Sequence, residues 1–544
     1  MSATQSAYPH NNTGSTDHRV RRRSNSAMHL AHGSPQQQAA VDDVRREFHV
    51  SNEQLHSIVH GFEKEMEAGL ADVEGGMGDL KMIPSYVIGY PTGNEQGTYL
   101  ALEISGVDIY VCQVVLKGEG GKLAINQYQY EIPDDLTAGN DIGILIDYVA
   151  DCVSDFQRRV SESSSHHHHH HHRQEQEQQQ TVYSMAISLG FAVRQTGLDR
   201  GTIMALEHGF EFPNVIGRDV VDLFHSRFQA KGLNVRIVAI ANDSVCTLLA
   251  HAYQHPATRI GIVHNIGTNC AYYDKVCNIS KFLAQIKHQQ HPQDNNSNKS
   301  SSSSSSSNSM EPYYNNDMIM NTEWCNFGSR HLPMCRYDKL VDNQSNNRGI
   351  HIFEKMTTGM YLGEIVRQVL VDLVNRQILS FQINDDEECL LRTPYQFDTS
   401  YMYVCEADDD WENLEDTRVV LEEMCKVAET TQADREIVKK VCELVGQRAA
   451  MLLGANIASV VKHMVERGIG LDRNSDGFAI AISGEVYKDY PSFHPRVCET
   501  LKALIPEDVS TKISVGIVKF SRIVGAAIVA MMAEKMDQQD VEML

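Results

Sequence analysis

The residues best placed for acid–base chemistry are Asn242 and Asp243, which follow the short apolar run Val235 to Ala241. The run predicts a buried parallel strand, and the apolar residues from Val245 to Ala252 predict a helix directly after the turn. In open α/β sheets, ligands bind at the carboxyl ends of the strands, so a carboxylate at this position can act as a general base. Asn and Asp are also common helix caps, and this stretch alone leaves both interpretations open.

Length and composition limit the classes of protein that fit this chain. Its 544 residues allow two to three domains, and 42% hydrophobic with 22% charged residues is typical of a soluble globular protein. The formal charge of -23 argues against direct contact with nucleic acid or an anionic membrane, but leaves small neutral ligands open. No run approaches the ~18 apolar residues of a membrane span and no secretory core is present, so we expect a cytoplasmic protein. The twelve scattered Cys predict reduced thiols.

Three low-complexity segments are predicted to be disordered. The tail, residues 1–40, contains a basic cluster at residues 18–26 that fits a nuclear-import signal, a kinase site or a solvated tail. An insert at 163–180 contains seven consecutive His, and another at 287–317 contains eight consecutive Ser. Because nothing fixes the geometry of the His run, we predict no metal site there.

The remaining chain alternates strand and helix patterns, which predicts an α/β fold. Ser51 and Gln54 make a capping box before apolar residues at helical spacing, and residues 99–115 predict a β-hairpin that turns between Ser105 and Asp108. Further helices are predicted at 142–160, 217–232, 357–379, 418–427, 434–466, 492–504 and 524–532. The hairpin turn resembles a phosphate cradle, but with Gly106 as its one glycine the signal is weak.

Ten short motifs occur in order between about residues 43 and 533: Met82–Val87, Tyr90–Gly93, Leu100–Ile104, Pro213–Val215, Ile240–Ser244, Asn321–Trp324, Phe353–Met356, Tyr361–Ile365, Asn413–Thr417 and Gly484–Tyr487. Together they resemble the eukaryotic hexokinases, most closely the fungal ones. The resemblance implies a two-domain actin-like ATPase fold with a sugar cleft between the domains. It also implies that residues 92–242 form the small domain, and that 41–91 and 243–544 form the large domain.

The resemblance assigns a sugar site whose residues are retained. Asp243 stands where the family has the base that accepts the proton of the sugar 6-hydroxyl. Asn242, Asn269, Glu323 and Glu354 stand at sugar contacts. Carboxylates and amides suit this task because they form paired hydrogen bonds with neighbouring hydroxyls, and a misfitting sugar leaves buried polar groups unpaired.

The small-domain half of the implied site has changed. The family's F-S-x-P signature reads Val193 to Thr196, so its serine and proline are absent. Glu207 and His208 occupy the positions of a Thr that contacts sugar and a Lys that aids phosphoryl transfer. Losing the Lys removes a fixed positive charge, which His208 can replace when it is protonated. The negative charge of Glu207 would repel the phosphoryl group that is transferred.

The positions that the resemblance assigns to ATP and Mg²⁺ are Glu103, Gly106, Asp108, Gly267, Thr268, Ser483, Gly484 and Gly525. In the first phosphate loop, Ser105 replaces a Gly and Tyr110 replaces an Arg, which leaves Glu103 as the carboxylate for hydrated magnesium. In the second loop, Asn265 and Ile266 replace a Gly and a Thr. The closing G-S-G-x-G run reads Ser521 to Gly525. Each nucleotide motif has lost expected contacts.

Two functions remain open. One is a regulatory or sugar-sensing protein with a hexose ligand and a protein partner. The other is an active ATP-dependent hexose 6-phosphotransferase, acting on glucose, fructose, mannose or N-acetylglucosamine, with Asp243 as general base and ATP with Mg²⁺ as cosubstrate. We expect a cytoplasmic location in either case, with nuclear import if the basic cluster acts as a signal.

Overall fold

The computed structural model describes residues 29–72, 78–105, 108–165, 182–206, 210–290, 314–328, 330–383, 388–470 and 477–542. The basic cluster at 18–26, the His run, the Ser run, Gly106, Glu207 and His208 all lie outside these residues. The chain divides into two compact units. The smaller comprises the described part of Met1–His49 with Val366–Val445, and the larger comprises Val50–Ile365 with Gly446–Leu544. The domain boundaries implied by the resemblance stay a prediction.

In chain order the helices are α1 (Pro35–Phe48), α2 (Asn52–Ala71), α3 (Gly143–Ser165), α4 (Val220–Ala230), α5 (Asp243–Gln254), α6 (Ser280–Gln290), α7 (Arg336–Gln344), α8 (Ile352–Thr357), α9 (Leu362–Asn375), α10 (Thr399–Ala407), α11 (Glu415–Arg418), α12 (Gln432–Glu466), α13 (Glu485–Asp489), α14 (Phe493–Leu504), α15 (Glu507–Ser510) and α16 (Ser521–Glu542). Short 3-10 turns occur at Asp134–Leu136, Pro213–Val215, Val276–Asn278 and Trp324–Asn326, and Val419–Met424 is π-helical.

The strands are β1 (Ile83–Ile88), β2 (Gln96–Ile104), β3 (Asp108–Gly118), β4 (Lys122–Glu131), β5 (Tyr183–Leu189), β6 (Val193–Gly197), β7 (Arg200–Ile203), β8 (Val235–Asn242), β9 (Thr258–His264), β10 (Thr268–Lys275), β11 (Asp317–Asn321), β12 (Phe478–Ser483) and β13 (Ile513–Ile517). β6 and β7 form a separate hairpin, and the others form two sheets within the larger unit.

The first sheet has five strands in the order β4-β3-β2-β5-β8. β2, β5 and β8 run parallel, while β3 and β4 are antiparallel additions. Apolar side chains of α3 and α4, including Val149, Phe156 and Phe224, pack with this sheet in one buried core. The C-terminal helix α16 packs against β2, β5 and α5.

The second sheet has six strands in the order β1-β11-β10-β9-β12-β13. β9, β12 and β13 are parallel, and the other neighbours are antiparallel. α5, which starts where β8 ends, packs on β9 and β10 and thereby connects the two sheets. The predicted α/β class is confirmed, and the carboxyl ends of β8 and β9 are brought close to each other.

Two predicted elements near the amino terminus can be compared with the structure. α2 follows the predicted capping box of Ser51 and Gln54. The predicted disordered tail is wrong for its last residues, because α1 begins at Pro35. Ser34 caps this helix in a second capping box, in which Gln37 N–H donates to the Ser34 hydroxyl at 3.2 Å.

Other predicted boundaries also differ. The helix predicted at 357–379 corresponds to the shorter α9 (Leu362–Asn375), and before it the Gly359 N–H donates to the Asn265 carbonyl at 2.8 Å. The disorder predicted at 163–180 and 287–317 is wrong at the ends of these ranges, because α3 continues to Ser165, α6 continues to Gln290 and β11 starts at Asp317. Most of each range lies outside the described residues. Polar composition alone therefore did not locate the ends of these elements.

The long helix α12 contains a window apolar enough to resemble a membrane span, contrary to the expectation that no run approaches one. One window of 18 residues has a mean hydropathy of 1.4, and 89% of that window is buried inside the protein. Such burial is characteristic of the core helix of a globular protein. In the smaller unit, His32 contacts Glu436 of this helix, with Nδ1 and Oε1 2.6 Å apart.

Candidate functional site

Strand β8 ends in the polar pair predicted to carry the chemistry. Asn242 is both the last residue of the strand and the N-cap of α5, since its side chain accepts a hydrogen bond from the Ser244 N–H at 2.9 Å. Asp243 is the first residue of the helix and is half-buried. The capping interpretation therefore applies to Asn242. The cap also fixes its side chain at the carboxyl edge of the sheet, beside a cluster of buried polar groups.

Asn269 is the centre of this cluster. Its Nδ2 donates to Asn242 Oδ1 at 3.1 Å, to Asn321 Oδ1 at 2.9 Å and to Glu323 Oε1 at 3.0 Å. Asn321 Nδ2 also donates to Glu323 Oε1 at 2.7 Å. All four residues are buried. The network joins the end of β8 in one sheet to β10 and β11 in the other, and a satisfied polar network of this kind holds its side chains in place.

Glu323 has an unusual backbone conformation. Its φ of 52° and ψ of 47° lie in the left-handed region, at the start of the turn Trp324–Asn326. Such a conformation costs a non-glycine residue on the order of 1 kcal/mol and is most frequent at functional sites. Burial raises the pKa of Glu323, while hydrogen bonds from Asn321 and Asn269 lower it. The hydrogen bonds from Asn269 and Asn321 fix the orientation of this carboxyl group.

Glu354 joins the cluster from α8. Its Oε2 accepts a hydrogen bond from the Thr268 N–H at 3.0 Å, and burial raises its pKa to about 7. Thr268, predicted as a nucleotide contact, makes two further hydrogen bonds: its hydroxyl accepts from Trp324 Nε1 at 2.9 Å and donates to the Val263 carbonyl at 3.0 Å. The structure thus brings together Asn242, Asn269, Glu323 and Glu354, with Thr268 among them.

A shallow, open cleft borders the cluster, and it is lined by Leu189, Phe191, Val193, Gln195, Ile240, Ala241, Asn242 and Asn321. Asn321 and Gln195 were not predicted as site residues. Gln195 Nε2 donates to the Ile240 carbonyl at 3.0 Å. The sequence contains indications of both residues. Asn321 precedes Glu323 by two residues, and Gln195 shares a strand face with Val193. Arg194, within the run that replaces the family's F-S-x-P signature, is exposed.

The phosphate side contains an ion pair that the sequence did not predict. Arg522 Nη1 lies 2.8 Å from Glu103 Oε1, at the end of β2. The Glu103 side chain is 6% exposed and the Arg522 side chain 39%. Burial raises the pKa of Glu103, Arg522 opposes this shift, and the charges of Asp243 and Asp108 add to it. Asp108 and Asp243 therefore add negative charge near the Glu103–Arg522 pair.

The two turns that correspond to the family's phosphate loops are closed by their own hydrogen bonds. In the β2–β3 hairpin, Ser105 N–H donates to the Asp108 carbonyl at 2.9 Å, and Asp108 N–H donates back to Ser105 at 3.1 Å. Between β9 and β10, Asn265 N–H donates to the Gly267 carbonyl at 2.9 Å. Ile266 at the tip of this turn is exposed. Gly106 and its neighbour Val107 lie outside the described residues.

The remaining predicted nucleotide residues take part in packing. The Ser521 hydroxyl donates to the Ser483 hydroxyl at 3.0 Å. A Cβ at Gly484, whose φ is 135°, would lie 2.0 Å from the His264 carbonyl oxygen. A Cβ at Gly525 would lie 2.0 Å from the Cys246 carbonyl oxygen. Both glycines are thus required for close backbone contact, whatever ligand they adjoin.

Comparisons with known proteins agree with this arrangement. Two family models, both described as hexokinase, match residues 40–253 and 259–532. Hexokinase-1 of Schizosaccharomyces pombe is 30% identical over 502 residues, which cover 91% of each protein. Hexokinase-1 of Saccharomyces cerevisiae is 31% identical over 489 residues, which cover 87% of this chain and 90% of the relative.

A solved structure is also similar. The Schistosoma mansoni hexokinase complexed with glucose matches with a TM-score of 0.74 at 26% identity, covering 92% of this chain and 99% of that chain. The mixed sheets joined through α5 are therefore those of the two-domain actin-like fold. On the family models, the relatives and the fold together, this chain belongs to the hexokinase family.

Proposed function

We propose that this protein is a hexose-binding member of its family that acts mainly as a sugar sensor, with phosphoryl transfer weak or absent. The proposal depends on one contrast. Asn269 connects Asn242 to Glu323 in a buried polar cluster, whereas Glu103 on the phosphate side is paired with Arg522. The implied sugar contacts are gathered in one cluster, whereas the carboxylate implied for magnesium already has a cationic partner.

A hexose matches the chemistry of the cluster. Neighbouring sugar hydroxyls both donate and accept hydrogen bonds; Glu323 and Glu354 offer acceptors, and the amides of Asn242 and Asn269 offer both. The related hexokinase of Schistosoma mansoni was solved with glucose. Each buried group left without a partner costs about 1–3 kcal/mol, so a ligand lacking these hydroxyls is disfavoured.

The phosphate side does not fit the ATP and Mg²⁺ that the family normally uses. The carboxylate expected to hold hydrated magnesium, Glu103, contacts Arg522, and the N–H groups of Ser105 and Asp108 bond across their hairpin. These contacts support a weakened or lost transfer step.

Such a sensor signals through the hexose-bound form. A hexose shifts the population toward the conformations it binds best. A protein partner with higher affinity for those conformations then binds more of the protein. We expect this to occur in the cytoplasm, and in the nucleus if the basic cluster at residues 18–26 directs import. Imaging with and without residues 1–28 tests the import signal, which an unchanged distribution rejects.

The second candidate is an active ATP:hexose 6-phosphotransferase. It is favoured by Asp243, which follows Asn242 at the carboxyl end of β8 and can accept the proton of a 6-hydroxyl bound at the cluster. A coupled assay with glucose, fructose, mannose and N-acetylglucosamine separates the candidates. Turnover that disappears in Asp243→Asn supports the transferase and rejects a purely regulatory role.

Thermal unfolding tests the sensor directly. A ligand at 100 times its Kd stabilises the folded state by about 2.7 kcal/mol, which raises the Tm measurably. We expect a rise with at least one hexose and none with ATP and Mg²⁺. A rise with the nucleotide alone contradicts the proposed loss of the phosphate site, and no rise with any hexose contradicts sugar binding.

A further inference from the structure

Arg522 is placed by two rigid contacts at the start of α16. The neighbouring Ser521 hydroxyl accepts from Thr247 and donates to Ser483, both at 3.0 Å. One turn further on, Gly525 allows α16 to approach Cys246 of α5 so closely that no Cβ would fit. The backbone of Arg522 is therefore held beside the end of β2, where its guanidinium group meets Glu103.

The surroundings of this ion pair are negatively charged. Glu103, Asp108 and Asp243 contribute carboxyl groups from β2, β3 and α5, and Tyr110 and Cys246 also adjoin the pair. Glu103 is 4% exposed, so it is shielded from water that would otherwise solvate its charge. The Arg522 side chain is 39% exposed, at the open side of the pair.

We propose that Arg522 is the specificity-determining residue that excludes a metal-bound triphosphate from this site. Its guanidinium group takes the place of a divalent cation as the counter-ion of Glu103. The inference rests on the proposed function, because it names the residue responsible for the lost nucleotide side. It concerns one side chain and is independent of which hexose binds.

The physical reason is electrostatic. A magnesium ion at Glu103 would bring two positive charges close to the guanidinium group, which would have to leave. A triphosphate that drew Arg522 away would leave Glu103 nearly buried and unpaired beside Asp108 and Asp243. Removing one partner of a buried charge pair is costly because the other charge stays desolvated. Without Arg522, the carboxylates regain a metal as their counter-ion.

The test compares nucleotide binding by the full-length protein and its Arg522→Ser variant, which restores the serine of the family's closing run. Arg236→Ser is the matched control, because Arg236 forms an exposed ion pair with Asp537 of the same helix α16. The non-hydrolysable ATP analogue AMP-PNP with Mg²⁺ is titrated by calorimetry and thermal unfolding, with and without glucose. We expect Arg522→Ser to bind this triphosphate with Mg²⁺ at least about ten-fold more tightly than the wild type and the control.

Two further variants make the result specific. Arg522→Gln, which keeps the side-chain length without the charge, is expected to show the same gain if Arg522→Ser folds poorly. Adding Glu103→Gln to Arg522→Ser is expected to abolish the gain and its dependence on Mg²⁺. Nucleotide binding that is unchanged in both single variants overturns the proposal. Weaker binding overturns it as well, because Arg522 would then be a phosphate ligand.

The experiments distinguish failure of the Arg522 proposal from failure of the proposed sensor function. Hexose phosphorylation by the wild type would contradict the sensor, yet a gain in nucleotide affinity in Arg522→Ser would still support exclusion by Arg522. Conversely, a wild type without turnover and an Arg522→Ser variant without gain would support the sensor and reject the role of Arg522. The glucose-dependent Tm rise in each variant reports whether its sugar side is intact.

Discussion

Asn269 Nδ2 lies 3.1 Å from Asn242 Oδ1, and this hydrogen bond joins the two sheets of the larger unit. Asn242 ends β8 of the five-stranded sheet, and Asn269 lies on β10 of the six-stranded sheet. The same amide reaches Glu323 at 3.0 Å. A substitution at either asparagine therefore removes a hydrogen bond between the two sheets.

Asn269→Asp is expected to weaken hexose binding about 10- to 100-fold. The substitution removes the donor to Asn242, Asn321 and Glu323 and adds a negative charge beside Glu323. Calorimetric titration with glucose measures the loss. Asn126→Asp, on the exposed strand β4, is the control and should bind like the wild type. An unchanged affinity in Asn269→Asp would show that the cluster is architecture without a ligand.

Glu354→Gln is expected to remove a pH dependence of stability. Burial raises the folded-state pKa of Glu354 from 4.5 to about 7, so the folded state retains the proton longer than the unfolded chain. Its contribution is fully present below pH 4.5, falls as the pH rises toward about 7, and is lost above that. The fall amounts to about 3 kcal/mol.

Urea unfolding between pH 5 and 8, without sugar, measures this dependence. The wild type should lose stability over that range relative to Glu354→Gln, whereas the exposed Glu485→Gln should follow the wild type. Parallel curves for all three proteins would mean that Glu354 titrates normally in the fold.

Arg448→Ala is expected to destabilise the protein by about 3–5 kcal/mol. Arg448 donates to both carboxylate oxygens of Asp338, each at 2.6 Å, and both side chains are almost completely buried. Removing the guanidinium group leaves a buried carboxylate without its counter-ion. Urea unfolding checks the loss, with Arg236→Ala expected within about 0.5 kcal/mol of the wild type. A loss below about 1 kcal/mol would indicate that water or a neighbour replaces the pair.

Asp243→Asn separates binding from chemistry. If the wild type has residual transferase activity, the variant should reduce it at least about 100-fold, because an amide cannot accept the hydroxyl proton. Its glucose-dependent Tm rise should persist, since Asn242, Asn269 and Glu323 are unchanged. Phosphorylation at the wild-type rate would exclude Asp243 as the base.

The sequence predicted the local elements of the site well. The apolar run before Asn242 and the helix after it correspond to β8 and α5, and the hairpin at Ser105 to Asp108 joins β2 and β3. These patterns depend on neighbours within a few residues, which a single sequence displays. The prediction of disorder failed for the last residues of the tail because the first turn of α1 is rich in Gln. The apolar face of this helix begins only at Ala40.

Local sequence patterns could not predict contacts between residues that are far apart along the chain. Glu103 and Arg522 are distant along the chain, and neither has a local signature of its partner. The approach of Asn242 to Asn269 was expected from the family resemblance, because spacing alone does not place residues of two sheets together. The second bond of Asn269, to Asn321, follows from the β10–β11 pairing, which periodicity does not define.

The central claim is that this protein binds a hexose at the Asn269 cluster without transferring phosphate to it. It is tested most directly by titrating the protein in a calorimeter with glucose, fructose, mannose and N-acetylglucosamine in turn, adding ATP and Mg²⁺ to each saturated sample, and assaying that sample for the sugar 6-phosphate. We predict, for at least one of these sugars, a saturable heat that Asn269→Asp removes, and no sugar 6-phosphate. Repeated turnover of any of these sugars, or the absence of any binding heat, would contradict the account.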